Sequence, residues 1–423
     1  MTSIKYVFVL SILIGHIAHA ESLADLQRDL VRKNPEILAA KNRYLAATKV
    51  PIQEGTLPDP MVSFTDFGVG RPFSGLKESD FAYLGFGARQ TLPFPGKLDL
   101  RSKIAGKKAQ LAEQELRRTT IRLLSDLKRT FAEYAYLLQA ITITEKYRDL
   151  LTHFTEVSEA RYRVGEGIQP DVIRAQLERS TLEEKMQLLQ QELGTSRAAI
   201  NALANRDVNA DLTIEETFVT PQFGVALEQL QKELEERSPE ILSKAIREEQ
   251  KTLELKLANK ERYPDFSASF QWQKTGSNFP DYYMTMFEAS IPLYSWRKQK
   301  PAIAQATLEL QASKNDKQAT LKRLQADLKE AYLRATTTAN LAKLYNEGII
   351  PQSRLSLEST LAAYQVGKVD FLTLLNSGMT LLNYESEFLR RVSDHQKAVA
   401  RIEEITGHLI APAGIELTTE LEL

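Results

Sequence analysis

The chain has no cysteine, which excludes disulfides, thiolate metal sites, cysteine nucleophiles and lipidation of an N-terminal Cys. Histidine is scarce, and His153, His395 and His408 stand at no spacing that metal ligation or catalysis uses. Glycines are few and fall at turns or in strand-like stretches, so no P-loop or dinucleotide fingerprint is present. Acidic and basic residues nearly cancel to a formal charge of −1. Without a basic excess to neutralise phosphates, nucleic acid is not an expected partner. These absences point away from an enzyme, a cofactor or a resident metal. Beyond the first twenty residues, no run approaches the roughly eighteen apolar residues that a membrane-crossing helix needs.

Those first twenty residues read as a secretory signal peptide. Lys5 gives a positive start, Tyr6 to Ile14 is apolar but short, and Ala18-His19-Ala20 is a small-x-small cleavage site before Glu21. Export without cysteine fits a route to the periplasm or outer membrane of a Gram-negative cell.

The remainder carries a duplication. Ala160-Arg161-Tyr162-Arg163-Val164-Gly165 returns as Ala362-Ala363-Tyr364-Gln365-Val366-Gly367, and Asn34-Pro35-Glu36-Ile37-Leu38 as Ser238-Pro239-Glu240-Ile241-Leu242. Pro60 returns as Pro264, and Pro93-Phe94 as Pro292-Leu293. Four matches in one order define two repeats, 21–211 and 212–408, with a tail at 409–423. Each repeat is expected to hold a short helix, a strand pair (about 58–92 and 263–293) and a long helical hairpin (about 97–205 and 300–408).

Helix is predicted from about Lys97 to Arg163 because no proline interrupts Pro95 to Pro170. Leu124, Leu127, Phe131, Tyr134, Leu138 and Ile141 recur at spacings of three and four. Such a helix is roughly 100 Å long at 1.5 Å per residue. The return helix carries Leu182, Met186, Leu189, Leu193 and Ile200. The second hairpin has Leu321, Leu324, Leu328, Ala331 and Ala335 going out, then Leu372, Leu375, Met379, Leu382 and Leu389 coming back. Pro351, after Gly348, should kink the outgoing helix. Bundle packing accounts for the stripes but not for their length, which implies a rod or tube.

The segments before each long helix alternate with period two. Phe266, Ala268, Phe270 and Trp272 point one way, Ser267, Ser269, Gln271 and Gln273 the other. Tyr283, Thr285, Phe287, Ala289 and Ile291 share a face, and Val62, Phe64, Phe67, Phe81, Tyr83 and Phe86 mark the first pair. Strands of about ten alternating residues with aromatics toward their ends suit an outer-membrane barrel, although a half-buried sheet in a soluble domain has the same period. Four strands close no membrane barrel, and open edges in lipid cost several kcal/mol per unsatisfied group. The reading therefore requires several copies.

With these landmarks, the chain resembles the TolC family of outer-membrane efflux proteins from Ser22 to about His408. The resemblance rests on the internal repeat, the strand pairs, the Leu92-Pro93-Phe94-Pro95-Gly96-Lys97 exit and the Tyr-x-Val-Gly tips. It implies a mainly α fold with a transmembrane β part, completed by a homotrimer as a twelve-stranded barrel in outer-membrane lipid above a twelve-helix periplasmic tube. It also implies a passive duct that meets a periplasmic adaptor protein and an inner-membrane resistance-nodulation-division pump. The run from Tyr364 to Asn376 and the Pro-Phe-Pro-Gly-Lys run look most like the heavy-metal branch (cobalt-zinc-cadmium or copper-silver). Ducts for organic toxins or type I secretion share much of this texture.

Candidate tip residues are Tyr162, Val164, Gly165 and Asp171 in the first hairpin and Tyr364, Val366 and Gly367 in the second. Each Gly suits a left-handed turn, and Asp171 can charge the start of the return helix. The family places acids six and nine positions after the second Gly, at the closed mouth. Here those positions hold Thr373 and Asn376, with an acid earlier at Asp370, which either rings the mouth or caps the helix. Met61, Met284 and Met286 suggest packing or lipid contact more than a copper path. A periplasmic adaptor would carry Gly-rich flanking modules that are missing here, and a coiled-coil scaffold would leave the strands without a use.

Overall fold

The computed structural model describes residues 21–408 apart from 69, 74–75, 77–80, 166, 215–219 and 277–278. The predicted signal peptide, the tail and parts of both strand-pair turns lie outside the described residues. Local chemistry sets the first elements. Ser22 and Asp25 form a reciprocal capping box at the start of α1 (Leu23–Lys33). Asn34 accepts from the Glu36 amide at 2.9 Å ahead of α2 (Pro35–Ala47), whose first-turn proline needs no N–H donor. After α3 (Val50–Gly55) the chain enters β1 (Met61–Phe67) and β2 (Tyr83–Leu92), and Gly96 at φ +86° turns it into α4 (Lys97–Arg163).

This helix is unbroken over 67 residues, about 100 Å at 1.5 Å per residue. It returns as α5 (Gln169–Leu203), followed by α6 (Leu227–Arg237), α7 (Pro239–Lys260), β3 (Asp265–Thr275) and β4 (Tyr282–Ser290). The second outgoing helix is not continuous. A π-helical turn, Tyr345–Ile349, separates α8 (Gln299–Leu344) from α9 (Ile350–Gln365). Pro351 has no N–H to give and its ring would crowd the carbonyl four residues back, and the widened turn accommodates both demands. The chain comes back as α10 (Phe371–Thr406).

The long helices lie in a row, with α5 on α4, α4 on α10, and α10 on α8 and α9. Because α5 and α10 span only 35 and 36 residues, they cover about half of α4. Nearer the sheet, α2 and α3 flank α4 on one side, and α7 fills the place between α4 and α8. Leu127, Leu137, Leu182 and Leu328 are among the fully buried side chains along these seams. At the start of α10, Phe371 and not Leu372 begins the buried stripe. Leu372 is 38 % exposed, because one position after Phe371 in the first turn points away from the seam.

The two strand pairs form one antiparallel sheet in the order β1-β2-β3-β4, since β2 pairs with β3 from Leu92 opposite Phe266 to Tyr83 opposite Thr275. Register and alternation place Val62, Phe64, Phe86, Phe266, Phe270, Trp272, Tyr283 and Phe287 on one face. This face is open: Val62 and Phe287 are 82 % and 81 % exposed. The opposite face carries Ser63, Thr65, Arg89, Ser267, Ser269, Gln271, Gln273 and Glu288, with Arg89 paired to Glu288 and Ser267 donating to Glu288 at 2.9 Å. Met61, Met284 and Met286 also lie on this polar face. The outer edges of β1 and β4 pair with no other strand among the described residues.

Candidate functional site

The two hairpin tips sit side by side at the end of the helices remote from the sheet. Gly165 and Gly367 both hold left-handed backbone, φ +79° and +73°. Their amides donate to the carbonyls of Tyr162 (3.1 Å) and Tyr364 (3.0 Å). No atom lies within 4 Å of a Cβ built at Gly165, so backbone conformation, not crowding, is what calls for glycine.

The repeated tyrosines differ. Tyr162 is half exposed, whereas Tyr364 is buried against Phe371 at 5.9 Å between ring centroids. Val164 and Val366 stand out from the tips, 71 % and 68 % exposed. Arg161 joins the hairpins: its Nη1 donates to the Tyr364 carbonyl at 3.0 Å, and its guanidinium lies 4.9 Å from the Tyr364 ring centre. The repeated phrase alone does not single out Arg161. The signal was the mismatch within the repeated phrase, where Ala363 stands in the second copy.

Two carboxylates face this junction with opposite shifts. Asp370 is the N-cap of α10, with Oδ1 accepting from the Thr373 amide at 2.8 Å, and the hydrogen bonds to Thr373 hold its carboxyl below the usual range. Asp171, in the first turn of α5, is pushed up by burial and then by the nearby Asp370 charge, against the pull of Arg174 and Arg161. Thr373 and Asn376 are exposed, three residues apart on α10, and Thr380 and Asn383 continue their solvent-facing line.

About three turns above the tips, α4, α9 and α10 enclose a groove of about 620 Å³ lined by Lys146, Tyr147, His153, Arg354 and Glu385 among others. Arg354 pairs with Glu385 at 3.0 Å, and burial followed by the Glu385 charge raises the Tyr147 hydroxyl. His395 is buried, its Nδ1 lies 2.9 Å from the Ala335 carbonyl, and burial lowers its pKa. His153 is exposed beside Glu156, and His408 contacts Arg237. Among the described residues, no group of three His, Asp or Glu side chains is placed to hold a metal ion, and no helix is long and apolar enough to cross a membrane.

Known proteins share this fold. Residues 230–408 match the family of outer membrane efflux proteins. Among solved structures, the transmembrane channel protein CusC superposes at a TM-score of 0.79 and 14% identity, covering 92% of each chain. VceC from Vibrio cholerae gives 0.77 and 17% identity over 92% of this chain and 97% of its own. The outer-membrane channel CmeC from Campylobacter jejuni gives 0.79 and 11% identity over 95% of this chain and 88% of its own. No curated protein matches in sequence. The fold is that of an outer-membrane channel protein: long, duplicated helical hairpins carrying four strands per chain.

Proposed function

We propose that the protein is the outer-membrane duct of a tripartite efflux system, a passive exit anchored in the outer membrane and extending into the periplasm. The observation that carries this reading is the open four-stranded sheet, apolar on one face and polar on the other, set on helices of about 100 Å. Lipid suits the first face, an aqueous lumen suits the second, and further copies suit the bare edges. In this reading three copies close the barrel and the helical tube, a periplasmic adaptor docks on the exposed Val164 and Val366 tips, and an inner-membrane resistance-nodulation-division pump supplies the cargo. The family match over 230–408 supports it. Heavy-metal cations are the cargo we favour, on the resemblance of the Tyr364 to Asn376 run, with metal as substrate and not as a bound component.

The test is loss of function in the native cell. Deleting the gene should sensitise cells to cobalt, zinc, cadmium, copper or silver, and restoring the chain should reverse it. Gly165→Thr and Gly367→Thr should assemble in the membrane and fail to restore resistance. Sensitivity confined to organic dyes would move the cargo to organic toxins, and unchanged sensitivity to both classes would refute the efflux reading.

A further inference from the structure

The junction between sheet and long helix contains a clasp that links the two repeats inside one chain. Lys97, 1 % exposed, places Nζ 2.9 Å from Asp265 Oδ1, 3.1 Å from Glu261 and 3.1 Å from the Tyr263 carbonyl. The same Asp265 oxygen accepts the Phe94 amide at 2.7 Å, and Phe94 stacks on Tyr263 at 4.6 Å. The exit of the first repeat is thereby fixed to the strand entry of the second.

The duplication supplies the parts of a reciprocal contact. Arg122 bonds Glu36 on α2 and Asp126 one turn along, and Arg323 bonds Glu240 on α7 and Asp327 one turn along, so the two arginines hold equivalent places. Counting back the same number of residues from each reaches Lys97 at the start of α4 and Lys298 at the N-cap of α8. At the strand entries, Tyr263-Pro264-Asp265 has its counterpart in Leu57-Pro58-Asp59. This sets Pro58, not Pro60, against Pro264, and a shift of two leaves every strand face unchanged. Asp59 and Lys298 are both exposed and have no ion-pair partner among the described residues. They cannot meet in one chain, because Asp59 precedes β1 and Lys298 follows β4, the two opposite edges of the sheet. Leu57, Leu293, Tyr294 and Trp296 lie exposed beside them, 46 % to 69 %, where the internal clasp has its stacked Phe94 and Tyr263.

We infer that Lys298 of one copy binds Asp59 of the next, repeating between copies the Lys97–Asp265 clasp made within the chain, with β4 adding to the neighbour's β1. The occupant of this edge is a second copy of the same chain, argued from opposite charge, matched exposed apolar residues and the internal template. Alternation agrees, since β4 pairing with β1 in the β2–β3 manner sets outward Ala289 and Phe287 beside outward Val62 and Phe64. The inference rests on the oligomeric duct proposed above.

The test uses charge reversal in the full chain, extracted in detergent and followed by gel mobility against temperature. Asp59→Lys and Lys298→Glu should each lower the temperature at which the oligomer dissociates, and the double reversal should return it toward wild type. Neither residue is buried, so circular dichroism should show an unchanged helical fold. In parallel, Asp59→Cys/Lys298→Cys, the only thiols in a cysteine-free chain, should give covalent oligomers with a short bismaleimide, and each single variant should not. Oligomers that form normally, are indifferent to all reversals and do not crosslink would overturn the clasp and leave the duct intact. A wild-type chain that is monomeric in detergent would instead refute the duct reading itself.

Discussion

At the tips, single residues decide the electrostatics. Asp370 has a lowered folded-state pKa, so its cap supports the fold above the ordinary carboxylate range and this support is lost as pH falls through the lowered value. Asp171 has a raised one, so its charged form works against the fold at neutral pH and the penalty vanishes on acidification. Asp171→Asn should therefore raise the thermal midpoint at pH 7, with the gain fading as pH falls through the raised value and gone below about pH 4. Asp370→Ala should lower it at pH 7, speed exchange of the Thr373 amide, and shift the Asp171 titration downward by removing its charged neighbour. Asp370→Asn should keep most of the cap, because Asn accepts the same bond. Carboxyl NMR titration and amide exchange check both. Arg161→Ala should free the second tip by removing the bond and ring contact with Tyr364, seen as faster exchange at residues 366–368 with the first tip unchanged.

The secondary-structure elements were legible to different degrees, and the reasons are physical. A 67-residue helix leaves a long uninterrupted pattern, so α4 can be read to its ends. The strands could be read from period two, but not that β2 and β3 unite the pairs, because cross-strand partners lie more than 170 residues apart. Phe67 and Tyr83 stack on the face opposite Phe64 and Phe86, a split that composition alone concealed. The π turn before Pro351 is a local answer to a missing donor and clash, where sequence reading expected only a kink. At Gly348, beside that turn, a Cβ would sit in ordinary contact, 3.7 Å from Leu344. Gly348→Ala should stabilise the second hairpin by about 0.5–1 kcal/mol in denaturant unfolding. Lys97→Met should cost about 1–2 kcal/mol, since Asp265 keeps the Phe94 amide and Glu261 keeps Arg101 while both lose their buried partner. Of the candidate site, the turn glycines were legible because their chemistry is local. The burial of Tyr364 and the reach of Arg161 were not, because both depend on two hairpins packing.

For the whole molecule, the row α5-α4-α10-α8 and the sheet β1-β2-β3-β4 both end in open edges. Ile173, Leu177 and Leu188 on α5 and Leu308, Leu333 and Leu355 on the other hairpin's outgoing arm are exposed, from 51 % to 70 %. In the proposed duct, neighbouring copies would cover these residues by helix packing, as they would the strand edges. If α10 lines the closed mouth, Thr373→Asp places a ring of carboxylates there and should increase cation preference and block by multivalent cations in single-channel recordings. Unchanged conductance and selectivity would place the constriction elsewhere. The most direct test of the whole account is electron cryo-microscopy of the detergent-extracted protein. The account predicts three copies around one axis, a single closed barrel continuous with a helical tube, and one lumen running through both. Isolated monomers, or an assembly whose strands do not close around a lumen, would contradict it.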